Sequence, residues 1–343
     1  MFLSCIKAAA IGEFNTKYSG VDGVETSMRV RLGYVAMSLK LSDCSPSKTI
    51  TVANLQKLEG EENRLNRLRR ITGENLQNTM RLLYYNAAHR ISVFRFTSKL
   101  VPLATHPLTQ GWDYCTEFAG DFAKIGDIVR GHNMRVSSHP DHFTVINTPK
   151  EEVFQASLKD LVYHDDVFAA MRLPEAKMVT HVGGMYGSKP QSLQRFKENF
   201  RILPEAVRRR LLLENDDKSF GVADVLEVCQ ELQIPMVVDV HHHNCVNRGE
   251  EIGEYLDRIF DTWQGSLPKV HFSSPKSVKK CRAHADDIDV GEFYKFLLTA
   301  RELGRDFDVM IEAKNKDLAV FNLIRELKGM TGITALDEST IQI

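Results

Sequence analysis

None of the six cysteines (Cys5, Cys44, Cys115, Cys229, Cys245 and Cys281) stands at CxxC or zinc-finger spacing to another. That argues against a thiolate metal site and a disulfide framework, and leaves the reduced thiols of an intracellular protein. No apolar run approaches the roughly 20 residues that a membrane helix needs, and the short stretch Ala8–Ile11 lacks a signal-peptide core. A basic excess is missing too: 44 Lys and Arg stand against 45 Asp and Glu, a net charge of −1. Bulk charge therefore does not hold a polyanion, and any such ligand must meet a local basic face. Nor does a Gly-rich loop follow the first candidate strand, where Gly33 stands alone, so the dinucleotide fingerprint is absent.

What is present is a phrase repeated eight times: a short apolar, β-branched run, then polar residues, then an amphipathic helical stretch. The strand candidates are Arg31–Met37, Ser92–Ser98, Met134–His139, Met178–Gly183, Arg210–Asn215, Met236–His241, Lys269–Ser273 and Asp308–Ala313. Helical spacing marks Thr72–His89, with Leu76, Met80, Leu83 and Tyr84 on one face, and Val222–Leu232. Apolar strands alternating with helices imply a parallel sheet covered on both faces. Eight units, within 343 residues of which 43% are hydrophobic, point to a single-domain (β/α)8 TIM barrel. We place the barrel at 29–330, a disordered leader at 1–28 and a C-terminal tail at 331–343. Residues 42–70 read as a loop followed by a charged stretch that could be helix or lid.

Eight of the twelve histidines (139, 142, 181, 241, 242, 243, 271 and 284) fall at strand ends or in the loop just beyond. In such barrels the carboxyl ends of the strands converge on one mouth, where the active site sits. The set His139, His181, Glu214, Asp239, His242, His271, His284 and Glu312 offers imidazole and carboxylate, the ligands of zinc, manganese and iron. One strand-end histidine is more often a hydrogen-bonded structural residue, but eight convergent ligands exceed what one ion needs. Two or three ions sharing carboxylates is the arrangement suited to phosphodiester cleavage. Asp239 and His242, three apart, can both aim inward, leaving His241 and His243 to point elsewhere.

These strand ends carry phrases that resemble the UV damage endonucleases, from about Arg29 to Lys316: RLGY (31–34), Asn86 to Ser98, SSHP (137–140) and HVGG-x-YG (181–187). LLLENDD (211–217), DxxHH (239–243), KVH (269–271), AH (283–284) and VMIEAK (309–314) continue the series. The resemblance implies incision of DNA immediately 5′ to a UV photoproduct by a cluster of ions, manganese being the expected metal. It implies that His139, His181 and Glu214 hold one ion and that Glu214 bridges to a second held by Asp239, His271 and Glu312. His242 and His284 would serve a third. Lys269 corresponds to a lysine that family members can carry carboxylated; its plain alternative is a cation neutralising phosphate or carboxylate. Glu214, Lys269 and His242 are the expected catalytic groups.

On the same resemblance Tyr34 lines the lesion pocket. Asp141-His142-Phe143 replaces a run that in the family is commonly Gln followed by an aromatic, and Ser38 stands where some relatives have Asn. Phe143 can wedge or stack as apolar side chains do in opened duplexes. Arg95 is a further candidate for substrate contact. Lys276, Lys279, Lys280 and Arg282 follow the seventh strand and would hold damaged double-stranded DNA, as would Lys189, Arg195, Lys197 and Arg201 unless they form an ordinary charged helix face. The expected protein is a monomer with no membrane partner, cytoplasmic and nucleoid-associated when on DNA. Three rivals remain at this point: a sugar isomerase or epimerase of the same barrel class, an AP endonuclease, and a DNA-binding protein without catalysis.

Overall fold

The structure is a computed structural model that describes residues 27–247 and 249–343. Eight parallel strands close into a barrel: β1 (Arg29–Val35), β2 (Val93–Arg95), β3 (Arg135–Ser138), β4 (Lys177–His181), β5 (Leu211–Glu214), β6 (Met236–Asp239), β7 (Lys269–Phe272) and β10 (Phe307–Ile311). Between β7 and β10 stands a two-stranded antiparallel ribbon, β8 (Pro275–Ser277) with β9 (Lys280–His284). The parallel pairing of β10 with both β7 and β1 completes the ring. All eight expected strands are thus present, each with its bounds moved by a few residues. The sixth ends earlier than expected, since His241 already belongs to the helix Val240–Val246.

Alternation along each strand divides the core in two. Val30, Leu32 and Tyr34 face the helices and join the large outer core. The residues between them in register face the lumen, where Val179, Leu212, Val237 and Trp263 form a separate small apolar cluster. Trp263 anchors this floor, its indole N–H donating to the Met236 carbonyl at 2.7 Å with the Arg135 guanidinium 5.0 Å from its ring. Asp308, in register with Lys269 on β7, is a buried carboxylate that accepts from Arg31 through Nε at 2.7 Å and Nη2 at 2.9 Å, and from Arg135 at 2.8 Å. Close packing of the lumen also explains Gly33, because a Cβ there would sit 2.1 Å from the Val93 carbonyl oxygen.

The ambiguous stretch after Ser42 resolves into a short helix, Val52–Gln56, and a 28-residue helix, Glu61–Ala88. Asn75 and Asn78 on the long helix hold the preceding loop by donating to the Lys48 and Ser45 carbonyls. Leu76, Met80 and Leu83 are buried as expected, but Tyr84 is 59% exposed. A residue lies about 100° round the helix from its neighbour, and the buried stripe continues through Asn86 instead. The helix Val222–Leu232 matches its expected bounds, with Val225, Leu226 and Val228 buried. Cys5 lies outside the described residues, and the other five cysteines are all unpaired. Among the described residues no helix is long and apolar enough to cross a membrane.

The boundaries at both ends need correction. Residues 1–26 of the expected leader lie outside the described residues, but Met28 is fully buried and exchanges two backbone hydrogen bonds with Ile343 at 2.9 and 3.0 Å. The expected tail is part of the sheet: β11 (Thr334–Ala335) pairs with β12 (Thr340–Gln342), which runs antiparallel along the first half of β1. The eight-fold periodicity is complete before residue 331, so it carries no sign of a strand added from outside the repeat. Truncation after residue 330 is expected to lower the midpoint of urea unfolding, because it bares Met28 and strips β1 of its outer partner. Replacing Asp308 by Ala leaves the half-buried Arg31 and Arg135 guanidinium groups without their shared partner and is expected to lower the same midpoint.

Candidate metal centre

The upper rim of the lumen is polar because parallel registers bring the inward-facing strand ends level. His181 sits opposite Glu214 across β4 and β5, and Asp239 opposite His271 across β6 and β7. Glu214 is at the centre: its Oε1 lies 2.8 Å from His271 Nδ1, and its Oε2 lies 3.3 Å from His139 Nε2 and 3.7 Å from His181 Nε2. Two groups result in which each residue can direct one ligand atom to a common point. One is His139, His181 and Glu214; the other is Glu214, Asp239, His271 and Glu312. They share Glu214.

The donor set fits a divalent ion on its own chemistry. Asp239 Oδ2 and His271 Nε2 are buried without any hydrogen-bond partner, and unpaired buried polar atoms of this kind are rare in folded proteins. The other Asp239 oxygen caps the helix that begins at Val240, accepting from the His242 amide at 2.8 Å. Asn215, which sequence reasoning passed over although it stands in the LLLENDD phrase, fixes this strand end. Its amide donates to the Asp239 carbonyl at 2.9 Å and accepts from the Asp239 N–H at 2.9 Å. The Asn215 carbonyl lies 3.0 Å from His242 Nδ1 and orients that ring. His241 and His243 do point elsewhere: His243 Nε2 meets the Glu250 carbonyl at 3.0 Å, and His241 packs near Cys245.

Charge follows the geometry. Burial would raise the Glu214 carboxyl, but His271 and His181 outweigh it and hold Glu214 well below the usual carboxylate range. Glu312 falls to about 2 as the Arg95 guanidinium and His271 overcome the effect of burial. Asp239 is pushed well up by burial, with the Glu214 and Glu312 charges adding to the shift. Burial would lower His242, but Asp239 and Glu214 raise it to about 9. Burial lowers His181 and His271, which favours the neutral imidazole that binds metal.

Several expected site residues occupy other places. Tyr34 does not line a pocket: it is wholly buried, and its hydroxyl donates to Asn86 Oδ1 at 2.6 Å. Ser38 is buried too, its hydroxyl donating to Asp317 Oδ2 at 2.6 Å, so it secures the loop after β1. In both cases a strand-end position that looks open in the sequence is covered by a neighbouring helix. Arg95 opens on the mouth but is nearly buried and ion-paired with Glu312, so it holds that carboxylate in place. Lys269 lies one layer below the ligands, with Nζ 3.2 Å from Ser137 Oγ, and burial drives it far below the usual lysine range. His242 and His284 stand beside the two groups, ring centroids 6.4 Å apart, with His284 Nδ1 3.9 Å from Glu312 Oε2.

Two hollows open above this floor, of about 490 and 520 Å³, and His139 and Asp141 line both. Asp141 holds a tight turn in place: it accepts from Ser98 at 3.0 Å, and its carbonyl accepts from the Thr144 amide at 2.8 Å. At the tip of that turn His142 lines the second hollow and Phe143 is 48% exposed. Gly183, lining the same hollow, has φ +118°, and a Cβ there would fall 2.2 Å from Asn147 Oδ1. Asn147 was not marked by the sequence, where it is one more polar loop residue. Lys189, Lys197 and Arg201 pair with Asp224 and Glu231, which makes that cluster an ordinary charged helix face. Lys276, Lys279 and Lys280 lie exposed on the β8–β9 ribbon and take no ion pair among the described residues.

Metal is bound by carboxylate and neutral imidazole, so an ion loaded beside His242, which is raised to about 9, would bind in competition with its proton. Calorimetric enthalpies of manganese binding are expected to vary with the ionisation enthalpy of the buffer. Affinity should increase as pH rises toward about 9, the value to which His242 is raised. Enthalpies independent of buffer would contradict this.

Comparison with known proteins agrees with the geometry. Residues 30–343 match the family described as UV-endonuclease UvdE. A UV DNA damage endonuclease of Bacillus cereus (strain ATCC 10987 / NRS 248) is 43% identical over 318 residues, covering 92% of this chain and 100% of that protein. The crystal structure of SacUVDE superposes with a TM-score of 0.79 at 32% identity, over 87% of this chain and 98% of that one. Endonuclease IV from Thermus thermophilus gives a TM-score of 0.51 at 15% identity, over 82% of this chain and 91% of that one, a likeness of fold alone. With its ligand groups at the mouth of a closed barrel, the chain belongs to the UV-endonuclease UvdE family of metal-dependent endonucleases.

Proposed function

We propose that the protein cuts double-stranded DNA at the phosphodiester immediately 5′ to a pyrimidine dimer or 6-4 photoproduct, leaving a 3′-hydroxyl and a 5′-phosphate. The observation that carries this reading is the single carboxylate, Glu214, shared by two ligand groups in a family of UV endonucleases. Divalent ions held there, with manganese the expected metal, supply Lewis-acid stabilisation of charge on the phosphate. His139, His181 and Glu214 hold one; Glu214, Asp239, His271 and Glu312 hold the next; His242 and His284 serve a third.

The chain's own residues do the rest. Arg95, ion-paired with Glu312, fixes that carboxylate's orientation. Burial lowers the Lys269 pKa and so favours the free amine that carboxylation requires; protonated, the same group acts as a cation instead. Phe143, half exposed at the tip of its braced turn, stacks in the duplex where a cross-linked pyrimidine pair has already weakened pairing. His142 beside it faces the opened strand. Lys276, Lys279 and Lys280 contact backbone phosphate without reading sequence. The protein works as a monomer inside the cell, on damaged chromosomal DNA.

The test is incision of an end-labelled duplex carrying one pyrimidine dimer, with and without manganese, beside a Glu214→Gln variant. The expected result is one cut directly 5′ to the dimer that needs metal. The variant should lose more than the roughly 100-fold that removing a mere orienting partner costs. A cut at an abasic site but not at the dimer would replace the reading with an AP endonuclease.

A further inference from the structure

The ribbon formed by β8 and β9 meets the helix Val240–Val246 along β9, where Cys245 Sγ lies 3.8 Å from the Cys281 carbonyl, but leaves its side chains bare. Residues 275–283 are all exposed, and Val278, in the two-residue turn, is 96% exposed. A lone two-stranded hairpin is marginally stable in water, so one kept with both faces bare lacks a partner. Its charge indicates which kind. Lys276, Lys279, Lys280 and Arg282 project from it, and Lys314 at the foot lies close enough to Lys276 and Lys280 for their charges to lower its pKa. Against these stand only looser contacts, Arg282 to Asp217 at 3.6 Å and Lys314 to Asp286 at 3.9 Å. Such a cluster repels itself until a polyanion enters it.

We infer that this ribbon enters the major groove of the bound duplex, with Val278 in contact with the base edges and the lysines on the flanking phosphates. The inference rests on the reading of DNA as substrate. Size selects the groove: at about 12 Å wide the major groove admits a two-stranded ribbon, whereas the minor groove, at about 6 Å, does not. An apolar side chain at the tip has a natural contact there in the C5-methyl groups of thymine. The ribbon is also fixed to the chemistry at its base. β9 ends at His284, 3.9 Å from Glu312, and Cys281 on the same strand lies against Cys245 of the helix that starts beside Asp239. The irregular register between Pro275 and Ser277 adds the bend a bulge imposes and re-aims the tip. Docking of the ribbon therefore sets where along the duplex the metal centre falls, which makes Val278 a positioning residue.

The experiment compares wild type, Val278→Asp and the triple variant Lys276→Ala, Lys279→Ala, Lys280→Ala on a dimer-bearing duplex with manganese. Val278 is so exposed that the substitution leaves folding intact, as circular dichroism would verify. The expected result for Val278→Asp is a KM raised about ten-fold, with kcat at saturating duplex and manganese stoichiometry unchanged. The triple variant should lower the slope of log affinity against log salt by roughly 0.9 for each phosphate it no longer neutralises. Replacing thymines flanking the lesion by uracil, which removes only the methyl groups, should weaken wild type and leave Val278→Asp unaffected. If wild type cuts the duplex and both variants match it in KM and salt slope, the ribbon does not dock. Uracil tolerance together with competition from a minor-groove ligand would overturn the major-groove placement. A wild type that neither binds nor cuts the duplex brings down the DNA reading and this inference together, and is told apart by that control.

Discussion

A carboxylate buried where strand ends converge is the constraint on which this structure turns. Glu214 is buried at the end of β5, and such a charge is held only if cationic or hydrogen-bonding partners surround it. His271, His139 and His181 supply part of that compensation, and the partnerless atoms of Asp239 and His271 show that more is expected of the site. Everything around it keeps these side chains in place. Asn215 ties two strand ends together, Arg95 holds Glu312, and the parallel register puts the ligands level.

The same rule governs the lower lumen with a different outcome. Asp308 is also fully buried, but its partners are Arg31 and Arg135, permanent cations in a fixed fork, so that layer is closed and structural. Val179, Leu212, Val237 and Trp263 form a small apolar cluster apart from the main core. The barrel thus carries one fully hydrogen-bonded carboxylate for stability and one cluster with unpaired ligand atoms for chemistry. Completeness of pairing distinguishes them better than burial does.

Outside the lumen, surface charge sorts by whether it has a partner. The helix-face lysines and arginines near residue 200 are neutralised by Asp224 and Glu231, so little attraction for DNA is left there. The ribbon after β7 keeps its lysines free beside the mouth. A chain with a net charge of −1 can hold a polyanion only through such local imbalance.

Eight strands and the ligand types at their ends were legible in the sequence because both are local. A strand's apolar run and the polar residue that ends it are neighbours in the chain, and the shared Glu214 followed once the phrases were assembled. What the sequence left undetermined depends on contacts between distant segments. Tyr34 and Ser38 look like mouth residues by position, yet Asn86 and Asp317 claim them, partners 52 and 279 residues away. The strand at Thr340–Gln342 exists because β1 offers it an edge, which no repeat announces. The separation of Lys269 from the ligand layer, the pairing of Arg95 and the bareness of the ribbon were likewise decided by tertiary structure. Each depends on what lies across the barrel or fails to lie beside the hairpin, and linear spacing holds no record of either.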